Sequence, residues 1–241
     1  LAYVGLGLVG TMTTLVFFGN SLIEGRYGGD VVAAAAAHLP AVRVINAGQA
    51  GNTIYNLLDR LERDVLAHEP DWVIILAGGN DAISHSQPAT RRYYQQVQHV
   101  PDGEVTPAAY RAGLRDLLTR IQLAHALPAL ILAPLEYNPA AHAAMQAYNA
   151  IARAEAAALQ VPVCDLEARL LPALQDRPPL DQTAINRIGQ RMASGWADYE
   201  AARAAGGFSY TFDGLHLTPA AAQEIGGWLA TWWRGLAGFS L

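Results

Sequence analysis

Five short apolar runs constrain the fold of this chain more than any other feature of its sequence. They lie at 13–18, 41–46 (Ala-Val-Arg-Val-Ile-Asn), 71–77 (Asp-Trp-Val-Ile-Ile-Leu-Ala), 128–133 (Pro-Ala-Leu-Ile-Leu-Ala) and 161–164. Their apolar character is continuous rather than alternating, as expected of parallel strands covered on both faces. Between them fall helical patterns at about 28–39, 53–68, 107–126, 140–159, 184–205 and 219–234. Start signals support three of these: Asn52 or Thr53, Thr106 before Pro107, and Thr218 before Pro219. Strand and helix alternating with short links predict an α/β protein, a three-layer α/β/α sandwich. Its sheet should be a flavodoxin-like, doubly wound parallel sheet of about five strands. Two stretches, 82–106 and 166–212, exceed minimal connections. Long segments of this kind serve as lids or binding walls, or are plain surface elaboration.

A length of 241 residues suits one domain. With 52% apolar and 15% charged residues, the chain can bury a large core. The formal charge of −5 is spread along the chain, and no basic block points to nucleic acid or an anionic membrane surface. The single cysteine, Cys164, has no intramolecular partner and reads as a buried strand thiol. The first eleven residues are apolar but too few to span a bilayer, and they lack the basic start and cleavage site of a signal peptide. Met12 stands immediately before the first strand, so the domain is expected to cover 12–241. Residues 1–11 would then be a non-native extension of a cytoplasmic protein; the rival reading makes them the tail of an export signal or anchor. The segment Gly5-Leu6-Gly7-Leu8-Val9-Gly10 fits G-x-G-x-x-G. That fingerprint binds a pyrophosphate only between a strand and a helix, and here a strand follows it, so no dinucleotide cofactor is expected.

Four short motifs fall where strands should end: Gly19-Asn20-Ser21-Leu22, Asn46-Ala47-Gly48-Gln49-Ala50-Gly51-Asn52-Thr53, Gly78-Gly79-Asn80-Asp81 and Asp213-Gly214-Leu215-His216. Each alone reads as a turn or a helix entry. In a doubly wound sheet, however, the loops after the first three strands open onto one edge, where such folds hold their ligands. Acyl transfer needs a nucleophile, a base and oxyanion donors. Ser21 offers a hydroxyl, His216 a base, and Asp213 a carboxylate to orient the base. The amides of Ser21 and Gly51 and the side-chain amide of Asn80 are candidate oxyanion donors, glycine allowing close approach of a carbonyl. The other six histidines, His38, His68, His85, His99, His125 and His142, lie at helix ends or in the first long connection and read as surface residues. Trp232-Trp233 on the last helical pattern reads as packing.

In this order and at these positions the four motifs resemble the blocks of the SGNH, or GDSL, hydrolase superfamily of esterases and lipases, over about Thr13 to Trp233. The resemblance implies a serine esterase working through an acyl-enzyme, with Ser21 as nucleophile and Asp213 and His216 completing a triad. It implies an oxyanion hole from Ser21, Gly51 and Asn80, with Gly48 the alternative if the second block aligns differently. No metal and no cofactor enter this chemistry, and the partner is a small ester. Asn20 stands where the family's first block carries aspartate; asparagine keeps the shape of the turn without the charge. The G-x-S-x-G elbow of the α/β-hydrolase fold is absent around Ser21. Within the esterases, a carbohydrate O-acetyl esterase competes with a lysophospholipase or thioesterase. A non-catalytic ligand-binding relative is the alternative from another class.

Overall fold

The computed structural model describes residues 12–238. Five parallel strands form one sheet: β1 (Thr13–Gly19), β2 (Val42–Gly48), β3 (Trp72–Leu76), β4 (Leu127–Leu132) and β5 (Val163–Asp165). Their order is β2-β1-β3-β4-β5, the flavodoxin-like order expected from the sequence. The chain reverses its direction of travel across the sheet after β2, so the exits of β1, β2 and β3 lie side by side. In register, Gly19 at the end of β1 pairs with Gly48 of β2 and Leu76 of β3.

The continuous apolar runs are explained by two cores. Leu15 and Phe17 of β1 point into one, with Val31, Val32, Ile225, Leu229 and Trp233. Val16 and Phe18 point into the other, with Leu57, Leu61, Leu114, Leu118 and Tyr148. One face of the sheet is covered by α2 (Val31–Ala36) and α10 (Pro219–Ala237), the other by α3 (Ile54–Asp64), α6 (Pro107–Leu123) and α7 (Pro139–Ala158). Thr106 and Thr218 accept hydrogen bonds from the amides of Ala109 and Ala221, and proline occupies the first turn of both helices. Cys164 is buried on β5, and burial pushes its thiol up to about 11.

Several expected boundaries move. The helix expected at 28–39 begins at Val31, because Gly28 has φ +88° and Asp30 caps the first turn through the Ala33 amide. The pattern at 53–68 ends as an α-helix at Asp64 and closes with one 3₁₀ turn. The pattern at 184–205 is two helices, α8 (Gln182–Ala193) and α9 (Tyr199–Gly206), broken at Gly195 with φ +72°. The stretch 82–106 is largely helical: α4 (Gly79–Ser86) starts inside the third motif, and α5 (Arg91–Gln96) follows. A one-turn helix, α1 (Ser21–Glu24), carries the first motif. Periodicity missed these because four to eight residues do not complete a recognisable amphipathic face. The glycine-rich segment at 5–10 lies outside the described residues.

Candidate active site

Ser21 is the first residue of α1, directly after β1. Asn20 caps this turn, its Oδ1 accepting from the Leu22 amide at 3.0 Å, so the turn is closed by an uncharged side chain. The Ser21 amide sits in the first turn, where N–H groups have no helical acceptor. After β2 the chain turns at Gly51 with φ +77°. The left-handed backbone favours glycine there, and a side chain would also have to push aside the ends of Gln98 and Tyr93. The Gly51 amide has no acceptor among the described residues. Gly48, the alternative, is closed off by the backbone of Ile23 and Glu24 in α1. Asn80 follows β3 at the start of α4. Its Nδ2 donates to the Asn52 carbonyl at 2.9 Å and its Oδ1 accepts from the Tyr94 hydroxyl at 2.9 Å. A carbonyl can only accept, so these two contacts fix which way the amide points.

His216 arrives from far along the chain. Its Nε2 is 3.0 Å from Ser21 Oγ, and its Nδ1 is 2.8 Å from Asp213 Oδ2. Asp213 Oδ1 also accepts from the amides of Leu215 (2.9 Å) and His216 (2.7 Å). The three-residue spacing thus makes a tight turn in which one carboxylate folds the loop and orients the ring. Burial pushes the Asp213 carboxyl up, but His216 and these amides outweigh it and hold it below its ordinary value. The ring is flanked by Tyr27 at 5.2 Å and Phe212 at 6.0 Å between centroids. Of the seven histidines only His216 is buried.

Ser21, Gly51, Asn80 and His216 open into one cavity of about 540 Å³. Both long connections build its walls, α5 through Tyr93 and Tyr94, the other through Leu180 and the Ile185 and Ile188 side of α8. All five residues singled out in the sequence therefore meet at one place. Among the described residues no group of three or more His, Cys, Asp or Glu is placed to hold a metal, and no helix is long and apolar enough to cross a membrane.

Three supporting residues carried no role in the sequence reading. Glu136, fully buried, follows β4. Its Oε1 accepts from the amides of Ala173 (3.1 Å) and Ser209, and its Oε2 from the Thr211 amide (3.1 Å), the Thr211 hydroxyl (2.6 Å) and, more weakly, the Tyr210 amide (3.4 Å). It thereby anchors the loop that delivers Asp213 and His216. Asp81, also fully buried, accepts from the amides of Ile54 (2.9 Å) and Gly78 (3.2 Å), tying the second motif to the third. Burial pushes its carboxyl up to about 6 against the lowering effect of those amides. Arg60 donates to the Asn52 side chain at 2.6 Å and to the Gly19 carbonyl at 2.8 Å, bracing the loops after β1 and β2. A carboxylate at a strand exit on the loop-bearing edge was the only available signal for Glu136; its partners lie 37 to 75 residues away.

Comparison with known proteins bears on the fold and the family. An acetylxylan esterase from Geobacillus stearothermophilus is 36% identical over 91 residues, a match spanning 30% of this chain and 42% of that protein. A solved structure of a catalytic mutant of an acetylxylan esterase from that organism covers 96% of this chain and 97% of its own, with a TM-score of 0.62 at 23% identity. An α/β hydrolase enzyme from the metagenome of Lake Arreo, Spain, gives 0.60 at 22% identity, covering 94% and 95%. These two likenesses concern the fold. Residues 17–224 match the GDSL-like lipase/acylhydrolase family, which takes in the Ser21 turn, the Gly51 and Asn80 loops and the Asp213–His216 turn, and the chain belongs to that family.

Proposed function

We propose that this chain is a serine esterase that hydrolyses carboxylic esters through an acyl-enzyme, with Ser21, His216 and Asp213 as its triad. The observation that carries the reading is the line of contacts from Ser21 Oγ through His216 to Asp213, at 3.0 and 2.8 Å, opening on a cavity beside unpaired amide donors. His216 Nε2 takes the Ser21 proton as the hydroxyl attacks the ester carbonyl, and returns it to the departing alcohol. Asp213 holds the proton of Nδ1, so the lone pair of Nε2 faces the serine. The amides of Ser21 and Gly51 and the Nδ2 of Asn80 receive the developing oxyanion. Water then releases the acid by the reverse proton path.

The acetylxylan esterases among the similar proteins favour acetyl esters of carbohydrate alcohols as substrates. A second reading has its own support: Leu135, Leu180, Ile185 and Ile188 give the cavity an apolar wall that suits a longer acyl chain. An ester panel separates them, since a sugar site prefers acetyl sharply while an acyl groove gains kcat/KM with chain length. For the chemistry itself, Ser21→Ala should fold as the parent, lose hydrolysis of 4-nitrophenyl acetate, and no longer be labelled by a fluorophosphonate. Undiminished turnover by that variant would refute the mechanism.

A further inference from the structure

The first long connection reaches both loops that carry the candidate oxyanion donors. From α5, the Tyr94 hydroxyl donates to Asn80 Oδ1 at 2.9 Å. Two residues past the end of α5, Gln98 reaches the loop after β2. Its Nε2 donates to the Ala50 carbonyl at 3.3 Å and to the Tyr93 hydroxyl at 3.0 Å. The Ala50 carbonyl and the Gly51 N–H belong to one planar trans peptide unit, in which they point in opposite directions. A group that holds this carbonyl therefore also sets the direction of the Gly51 amide, which has no acceptor among the described residues. Ala50 and Gly51 line the cavity while Gln98 does not, so Gln98 holds the peptide from behind.

The donors and acceptors around Gln98 fix which way its amide faces. Arg60 can only donate, so Asn52 turns Oδ1 toward Arg60 Nε at 2.6 Å and Nδ2 toward Gln98 Oε1, a long contact of 3.5 Å. Gln98 Nε2 is then left for the Ala50 carbonyl, which can only accept. The backbone of Gln98 is held as well. Its carbonyl accepts from Asn56 Nδ2 at 2.7 Å, and Asn56 Oδ1 accepts from the Thr53 amide and hydroxyl, both at 2.9 Å, where α3 begins. Arg60, Asn52 and Thr53 are buried, and Gln98 is half-buried. A chain of contacts thus runs from the Arg60 guanidinium through Asn52 and Gln98 to the peptide that carries the Gly51 amide. Such chains polarise their members, so a donor on the Ala50 carbonyl also strengthens the Gly51 N–H as a donor.

We propose that Gln98 is a positioning residue for ester hydrolysis, gripping the Ala50 carbonyl so that the Gly51 N–H is aimed at the developing oxyanion. The inference rests on the reading of Ser21, Gly51 and Asn80 as an oxyanion hole. Gln98→Met keeps the length of the side chain and removes its donors. Removing a whole oxyanion donor lowers kcat by about 10²–10³, so misdirecting one should lower kcat on 4-nitrophenyl acetate by about tenfold. KM should stay within about twofold of the parent, because the interaction belongs to the transition state. Labelling by a fluorophosphonate, whose phosphoryl oxygen enters the same hole, should slow by a similar factor. Spectra of ¹⁵N-labelled parent and variant read the peptide itself: the Gly51 amide resonance should move while that of Gly235 on α10 stays in place. A kcat within about twofold of the parent, a loss that comes through KM, or an unmoved Gly51 resonance overturns the proposal. Asn80→Ala on the same ester judges the reading beneath it. If that variant is impaired and Gln98→Met is not, the positioning role alone fails. If Asn80→Ala keeps full kcat, or the parent hydrolyses no ester, the reading of the hole fails and the positioning role falls with it.

Discussion

Glu136→Gln probes how the candidate site is held together, because the Glu136 side chain touches none of Ser21, His216 and Asp213. The carboxylate serves five donors with two oxygens, and all are backbone amides except the Thr211 hydroxyl. Glutamine has the same shape but only one acceptor oxygen. That oxygen should turn toward Thr211, where two good donors and the weaker Tyr210 contact converge. The NH₂ group then faces the amides of Ala173 and Ser209, leaving two donors opposite a donor. A buried donor without a partner costs about 1–3 kcal/mol, so the variant should lose roughly 2–6 kcal/mol. The lower end is favoured because Ala173 and Ser209 are only partly buried. Such a loss fits within the roughly 5–15 kcal/mol stability of a domain, so the variant should still fold. Since Glu136 also donates its own amide to the Gly214 carbonyl, between Asp213 and His216, loosening it should disturb the triad turn. Urea unfolding should give a lower midpoint with an unchanged slope, and hydrolysis of 4-nitrophenyl acetate should lose kcat with little change in KM. A midpoint shift worth under about 0.5 kcal/mol, with full activity, would show that the five contacts do not anchor the loop, since that is the range of neutral surface changes.

Asn80→Ala should lower kcat/KM by about 10²–10³, the effect of removing one oxyanion donor. Tyr94→Phe leaves that amide in place but removes the O–H holding its oxygen, so a smaller loss of about tenfold is expected; steady-state kinetics on one activated ester would measure both, and a Tyr94 variant as impaired as the Asn80 variant would contradict the ranking. Asp81 predicts a pH effect on stability. Its folded carboxyl titrates at about 6 against an ordinary 3.8, so between these values the native state binds a proton that the unfolded chain does not. Ionisation therefore costs about 3 kcal/mol above pH 6, a cost relieved as pH falls from 6 toward 3.8. Asp81→Asn should lack this component, and parallel unfolding-versus-pH profiles for parent and variant between pH 7 and 4 would count against it.

The layers, the strands and the five candidate residues that the fold brings together were legible in the sequence for a local reason. A strand buried on both faces must be apolar throughout, and Leu15 through Phe18 show it by feeding alternate residues into two cores. Ser21, Gly51, Asn80, Asp213 and His216 were legible because each lies in a short motif at or just beyond a strand exit, or in the Asp213–His216 turn, and at Gly51, with φ +77°, the backbone itself favours glycine. Helix continuity across Gly195 was misread because a glycine in the left-handed region and one on a helix look alike in a sequence. Glu136, Asp81 and Arg60 belong to another category. A buried carboxylate is tolerated only where donors converge on it. Those neighbours come from segments tens of residues apart, so tertiary structure alone decided which charges are paired and which are buried. The sequence by itself determined the sheet and the candidate groups on its edge; what holds those groups in place came from packing.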